Sequence, residues 1–176
     1  MNIIITSAGQ RVSLIKSFQF ELKKIFPESK VFTADLNPVL APACHISDGY
    51  FKVPRVTAEN YIDEIIKICE ENNIKLIIPT IDTELLMLSE NAEKFKSHNI
   101  TALVSDHELI QKCRNKRLTN QLFQDHNIAV PKQYTLNNLE FPVFVKPCDG
   151  SLSKGIFIAD SQDVITQEHR QNEKLM

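Results

Sequence analysis

Short apolar runs of strand length alternate along the chain with longer segments whose apolar residues recur every three or four positions. The first run, residues 2–6, is apolar and mostly β-branched, which is typical of a strand covered on both faces. Gly9 ends this run, and an amphipathic segment follows it. Similar runs lie at residues 30–34, 75–79 and 101–104. This alternation predicts an α/β domain over residues 1–105, built as an open parallel sheet with helices on both faces.

The pattern changes after residue 105. Two short helical segments are predicted, at residues 106–113 and 115–126. Apolar runs at residues 141–147 and 155–159 then flank a polar segment, which is typical of a β-hairpin with a long tip. A final helix is expected from about residue 161 to the end of the chain. Residues 106–176 are therefore predicted to form a second, smaller α+β part.

The charge balance excludes several classes of partner. The chain has 176 residues, with 20 Lys+Arg against 22 Asp+Glu, so it offers no general attraction to nucleic acid or to an anionic membrane. No apolar stretch has the length of a membrane span, and the first residues lack the basic and long apolar parts of a secretion signal. A cytoplasmic location is expected. The widely spaced Cys44, Cys69, Cys113 and Cys148 are interpreted as free, buried thiols, and no metal site is predicted.

Two of the four glycines lie in one polar segment, residues 149–155. Its backbone N–H groups, the hydroxyls of Ser151 and Ser153 and the ammonium of Lys154 are groups that bind phosphate oxygens. Lys146, at the end of the preceding strand, directs a second ammonium toward the same region. A solvated hairpin tip, in which Gly, Ser and Lys are common, explains this composition equally well.

Four cations crowd into six residues around the start of the second predicted helix: Lys112, Arg114, Lys116 and Arg117. Cations at the start of a helix oppose the helix dipole, and a negative ligand would offset that unfavourable interaction. The alternative is a solvated basic face without a ligand.

Three loops that follow predicted strands carry polar side chains. The loop at residues 6–11 leads into a helix N-terminus, which would hold an anion with help from Arg11. Asp35 follows the second strand, where an acidic residue meets a ribose in dinucleotide-binding folds. Asp82 and Glu84 follow a later strand, at the sheet edge where ligands bind. Helix capping and first-turn charge complementarity explain these two carboxylates as well.

Taken together, these segments resemble the ATP-grasp superfamily, and more narrowly the proteins similar to the large subunit of carbamoyl-phosphate synthase. The similarity rests on the order and spacing of several segments rather than on any one loop. These segments are residues 5–12, 34–38, 42–44, 53–56, 78–85, 115–116, 145–147 and 150–155. The resemblance implies a Rossmann-like pre-ATP-grasp domain at residues 1–105. It implies linker helices and an incomplete N-terminal lobe of an ATP-grasp domain at residues 106–176.

The resemblance also implies two sets of site residues. The residues expected to contact ATP are Lys116, Lys146, Ser151, Ser153, Lys154 and Gly155. The residues expected to bind the carboxylate or amine substrate are Ser7, Gly9, Arg11, Asp35, Asn37, Thr80, Asp82 and Glu84. No catalytic residue is assigned.

The reaction implied by the resemblance is attack of a carboxylate on the γ-phosphate of ATP, after which an amine or thiol displaces phosphate from the acyl phosphate. Mg²⁺ is the expected metal, but the family's metal ligands, adenine-binding hinge and charge-stabilising arginine would follow residue 176. The chain is therefore expected to be the N-terminal part of an ATP-dependent ligase with little or no activity alone.

Two other hypotheses remain open from the sequence. The chain could be a nucleotide- or metabolite-binding α/β module without catalysis, or a subunit that a partner chain completes. An exposed apolar face, left where another lobe would pack, would also favour association into a homo-oligomer.

Overall fold

The computed structural model describes residues 1–150 and 152–176. The chain divides into two compact units, Met1–Ile110 and Gln111–Met176. Ser151, one of the expected ATP contacts, lies outside the described residues. In the described ranges, no helix combines the length and the apolar character needed to cross a lipid bilayer.

The first unit, every residue of which is described, contains a five-stranded parallel sheet in the order β3-β2-β1-β4-β5. Its strands are β1 (Asn2–Thr6), β2 (Val31–Asp35), β3 (Gly49–Lys52), β4 (Ile74–Pro79) and β5 (Thr101–Ala102). Its helices are α1 (Val12–Ile25), α2 (Pro42–Ile46), α3 (Tyr61–Glu71), α4 (Asp82–Glu90) and α5 (Ala92–Ser97). The predicted open parallel α/β sheet is confirmed.

Both faces of the sheet are covered because successive side chains of a strand point to opposite sides. Ile4 of the central strand β1 packs in one buried cluster, which also contains residues of α3 and Phe95 of α5. Ile3 and Ile5 pack in a second cluster with Ile15 of α1. The continuous apolar run at the N-terminus is therefore explained by burial on both faces.

The apolar stripe from residue 83 to residue 95 predicts one helix, but the structure has two. Helices α4 and α5 meet at Asn91, whose side-chain amide donates to the carbonyl oxygen of Met87 at 2.9 Å. Asparagine competes for backbone hydrogen bonds in this way and interrupts helices.

The second unit begins within α6 (His107–Arg114) and continues with α7 (Lys116–Asp125). Strands β6 (Val143–Val145) and β7 (Phe157–Ala159) pair antiparallel, as expected for a hairpin. Their inner face packs against Ile165, which follows a short 3-10 turn at Gln162–Val164. In place of the long C-terminal helix expected from residue 161, the structure has the short helix α8 (Gln167–Gln171).

The last residues are not helical: residues 173–174 form a turn, and the chain end pairs with the hairpin. The N–H of Lys146 donates to the carbonyl oxygen of Met176 at 2.9 Å, and the N–H of Met176 donates back to Lys146 at 2.8 Å. Leu175 forms an antiparallel bridge with Pro147. The apolar stripe of residues 161–176 is weak, so a helix there would bury little apolar surface. Pairing with Lys146 and Pro147 instead gives hydrogen-bond partners to backbone N–H and C=O groups that would otherwise be unpaired.

The cysteines differ in exposure. Cys44, Cys69 and Cys148 are buried free thiols, as expected, but Cys113 is exposed. The expectation of burial was wrong for Cys113, which lies in the last turn of α6, a helix whose buried residue is Ile110.

Candidate functional site

The loops after β1 and β2 are joined by Asp35. Its Oδ2 accepts a hydrogen bond from the N–H of Gly9 at 3.0 Å, and its Oδ1 accepts one from the N–H of Asn37 at 3.0 Å. Gly9 has a φ of +49°, and Ser7 just before it has a φ of +50°, so this loop turns sharply out of the sheet. The Asp35 carboxylate therefore fixes the path of the backbone at the carboxyl ends of two neighbouring strands.

The loop after β4 joins the same edge through Thr80. The Thr80 hydroxyl lies 2.7 Å from the carbonyl oxygen of Ser7 and 2.9 Å from that of Thr6. The Arg11 guanidinium donates to the carbonyl oxygens of Thr80 at 2.8 Å and Ser7 at 3.4 Å. Since the Arg11 side chain remains exposed, it places a positive charge at the carboxyl edge of the sheet.

Glu84 lies beneath this edge and is fully buried. Its Oε2 accepts a hydrogen bond from the Thr6 hydroxyl at 3.0 Å, and its Oε1 accepts one from the Tyr61 hydroxyl. Burial raises the pKa of Glu84 above its ordinary value. Burial and the charge of Glu84 also raise the pKa of Tyr61. The geometry assigns this carboxylate to an internal network, whereas Asp82 in the same turn of α4 is exposed.

The structure thus brings six of the expected substrate residues together by hydrogen bonds along the ends of β1, β2 and β4. They are Ser7, Gly9, Arg11, Asp35, Asn37 and Thr80. Sequence reasoning missed Thr6 and Tyr61. Two features of the sequence could have indicated them: Thr6 is a hydroxyl residue at the end of an isoleucine-rich strand, and Tyr61 carries a phenol among the inward-facing residues of α3.

In the second unit, Lys116 is fixed at the base of the hairpin tip. Asn115 caps α7, since its side-chain oxygen accepts from the N–H of Arg117 at 3.0 Å. The N–H of Lys116 donates to the carbonyl oxygen of Cys148 at 2.8 Å. Its Nζ donates to the carbonyl oxygen of Gly150 at 2.7 Å. The lysine is therefore held at both ends against the segment that opens the tip.

The tip itself presents its groups to solvent. Ser153, Lys154 and Gly155 are exposed, and the backbone at Leu152 and Ser153 is left-handed, with φ of +55° and +56°. Gly155 has a φ of +69°, and a Cβ at this position would approach Pro147 Cγ to 3.1 Å, so any other residue would be strained there. Successive turns of this kind turn backbone N–H groups outward, which is how many anion-binding loops are built.

A groove of about 680 Å³ lies beside Lys146, which is half-buried at the end of the hairpin strand. Its lining includes Tyr134, Phe144, Lys146, Leu175 and Met176. The lining also contains the cations Arg117, Lys132 and Arg170, and apolar walls beside positive charge suit a ligand that has a flat apolar part and an anionic part.

The cluster of four cations is only partly available to a ligand. The Arg117 guanidinium donates to the carbonyl oxygens of Glu173 at 2.8 Å and Leu175 at 2.6 Å. Lys112 and Arg114 lie in the last turn of α6, where cations complement the helix dipole. Backbone carbonyl oxygens and the dipole of α6 thus stabilise three of these four cations, so their presence does not require an anionic ligand.

Comparisons with known proteins agree with this architecture. Residues 3–103 match the family described as PylC-like, N-terminal domain. The alpha-aminoadipate–LysW ligase LysX of Saccharolobus solfataricus is 30% identical over 73 residues, which cover 36% of this chain and 26% of the ligase. The chain thus spans about a quarter of the length of this curated relative.

Solved structures show the same fold. Rhizobium etli pyruvate carboxylase matches with a TM-score of 0.66 at 18% identity, over 96% of this chain and 16% of that one. The biotin carboxylase domain of Hydrogenobacter thermophilus 2-oxoglutarate carboxylase, solved with MgADP and bicarbonate, matches with a TM-score of 0.64 at 16% identity. That match covers 91% of this chain and 38% of the carboxylase domain. The resemblance to the N-terminal portion of ATP-grasp proteins is confirmed, and the chain belongs to the family of PylC-like N-terminal domains.

Proposed function

We propose that the chain is the N-terminal part of an ATP-dependent ligase that joins a carboxylate to an amine or thiol through an acyl phosphate. A curated relative is a ligase by name, and a structural match was solved with MgADP and bicarbonate, which supports this class of reaction. In this proposal residues 1–105 bind the carboxylate substrate, and residues 106–176 contribute the first lobe of the nucleotide site.

The observation that carries the proposal is the position of Lys116. Its ammonium lies 2.7 Å from the carbonyl oxygen of Gly150, at the base of a tip in which Ser153 and Lys154 are exposed. Phosphoryl transfer depends on positioning and on positive charge more than on covalent help from the protein. A lysine held by a helix cap at this place meets both requirements.

The described residues fit a nucleoside triphosphate. Lys116, Lys146 and residues 152–155 of the tip would hold the phosphates, and the apolar groove beside Phe144 would accept the base. Bound ATP would supply a transferable phosphoryl group that activates a carboxylate. The lysines would orient the phosphates and offset their negative charge.

Among residues 1–150 and 152–176, no three His, Cys, Asp or Glu side chains are arranged to hold a metal ion. The proposal for the residues of this chain therefore concerns the nucleotide phosphates, and Mg²⁺ enters only as an expected companion of ATP.

The carboxylate substrate is assigned to the sheet edge of the first unit. Arg11 is an exposed cation there, and the guanidinium N–H groups that do not donate to Thr80 and Ser7 would pair with a carboxylate. Asp35 and Thr80 would act by holding the loops in place, because their side chains are already engaged by the backbone. Glu84 would act from beneath the edge through Thr6.

Binding of MgATP, measured by isothermal titration calorimetry, tests this proposal. Lys116→Gln and Lys146→Gln should each weaken binding about tenfold, since each removes one charge-assisted contact to phosphate. Lys24→Gln is the matched control, because Lys24 pairs with Glu21 on the exposed face of α1. Unchanged affinity in both test variants would refute the phosphate assignment.

Turnover separates the ligase part from the alternative of a binding module. In the proposal, this chain alone releases little or no ADP, and ADP release with a carboxylate appears when the rest of an ATP-grasp domain is supplied. If ATP bound and the completed protein still gave no carboxylate-dependent ADP release, the binding-module hypothesis would replace the ligase.

A further inference from the structure

The tip of the hairpin begins with an acidic residue surrounded by cations. The Asp149 carboxylate lies 2.9 Å from the Lys174 ammonium, and the positive charge of Arg114 also acts on it. The hydrogen bond from Lys174 is the main reason that the pKa of Asp149 is lowered. The Asp149 carboxylate, next to Gly150, is thus already paired with the positive charges of Lys174 and Arg114.

Lys174 lies next to the segment that connects Lys146 to the hairpin tip. The pairing of Lys146 with Met176 and the bridge of Pro147 with Leu175 place Lys174 opposite Cys148. The N–H of Cys148 donates to the carbonyl oxygen of Lys174 at 2.7 Å, in agreement with that register. The backbone of Lys174 therefore lies beside the segment that joins Lys146 to the hairpin tip.

We propose that Lys174 is a further phosphate-binding residue, and that the Asp149 carboxylate holds its ammonium until a phosphate of the ligand replaces that carboxylate. The inference rests on the proposed function and adds a residue and an internal competitor to it. The Lys116 ammonium is held in a similar manner, because it donates to the carbonyl oxygen of Gly150, the residue that follows Asp149.

The energetics favour such an exchange. The Lys174 and Asp149 side chains are 70% and 48% exposed, and an ion pair of this kind contributes little to stability. A phosphate group carries more charge than a carboxylate and offers more acceptor oxygens, so it competes well for the same ammonium. Removing the competitor should therefore strengthen phosphate binding.

The alternative is a structural pair that only holds the C-terminal strand in place. In that case any gain from removing the Asp149 charge would be the same with or without Lys174. Competition predicts that the gain from Asp149→Asn requires Lys174, because the variant acts by freeing that ammonium.

Calorimetric titration of the full chain with inorganic tripolyphosphate distinguishes these cases. Asp149→Asn should tighten binding about threefold, and Lys174→Gln should weaken it about threefold, as expected for one partly screened charge contact. In the double variant, the gain from Asp149→Asn should disappear, since the ammonium that it frees is gone.

The controls are Glu21→Gln and Lys24→Gln, which make the same changes of net charge at an exposed pair on α1. Their affinities should stay near that of the unchanged chain. A gain from Asp149→Asn that persists without Lys174, or a loss from Asp149→Asn, would overturn the inference. Circular dichroism at each titration temperature confirms that the compared chains are folded.

The same experiment separates failure of this inference from failure of the proposed function. If Lys116→Gln weakens tripolyphosphate binding but Asp149→Asn behaves like Glu21→Gln, only the role of Lys174 is refuted. If the unchanged chain does not bind tripolyphosphate, or if Lys116→Gln leaves binding intact, the phosphate site and this inference are both refuted.

Discussion

Replacement of Tyr61 by phenylalanine tests the buried network beneath the sheet edge. Tyr61 is 1% exposed, and its hydroxyl donates to the carboxylate of Glu84, which is itself fully buried. The Tyr61→Phe variant keeps the aromatic ring in the core cluster and removes only the hydroxyl. Any loss of stability therefore reflects the hydrogen bond and the Glu84 oxygen that it leaves unpartnered.

The size of the effect follows from the chemistry of that contact. A hydrogen bond to a charged group contributes about 1.5–3 kcal/mol, and a buried acceptor left without a donor carries a similar desolvation penalty. Little is subtracted for packing because the ring volume is unchanged. We therefore expect the free energy of unfolding to fall by about 2 kcal/mol.

Urea denaturation followed by far-ultraviolet circular dichroism measures this change. Tyr50→Phe is the matched control, because Tyr50 is 48% exposed on the edge strand β3 and should change stability by less than about 0.5 kcal/mol. If Tyr61→Phe unfolded at the same urea concentration as Tyr50→Phe, the hydrogen bond to Glu84 would not contribute as described.

Two further variants extend these predictions. The raised pKa of Glu84 means that the folded chain binds this proton more tightly, so its contribution to stability is present below the ordinary value of 4.5 and is lost as pH rises through the folded pKa. Glu84→Gln should remove this decline of stability with pH, as measured by urea midpoints from about pH 5 upward. The same dependence of the midpoint on pH in both chains would contradict this expectation. Asn115→Ala removes the cap that positions Lys116, so it should destabilise α7 by about 1 kcal/mol and weaken tripolyphosphate binding, whereas Asn115→Ser should not.

Local pattern determined most of the fold. The isoleucines of residues 3–5 and 77–78 predict strands covered on both faces, and the two core clusters are on those two faces. The polar segment between two apolar runs predicts the hairpin, and β6 and β7 form it. These features follow from the chain itself because strand and helix periodicities are properties of neighbouring residues.

The sites were predicted less completely. The sequence indicates that Arg11, Asp35 and Thr80 follow strands of one sheet, and parallel strands bring their carboxyl ends to one edge. It does not indicate that Asp35 is engaged by the backbone of Gly9, or that Glu84 turns inward. Such contacts depend on the distance between side chains far apart in sequence.

Apolar runs that alternate with amphipathic segments predicted the parallel sheet, and two apolar runs around a polar segment predicted the hairpin. Tertiary structure alone decided that Glu84 meets Tyr61 in the core, and that the chain end pairs with Lys146 instead of forming a helix. Both outcomes arise because a buried polar group takes the partner that the assembled fold brings within hydrogen-bonding distance, and that partner cannot be recognised from neighbouring residues.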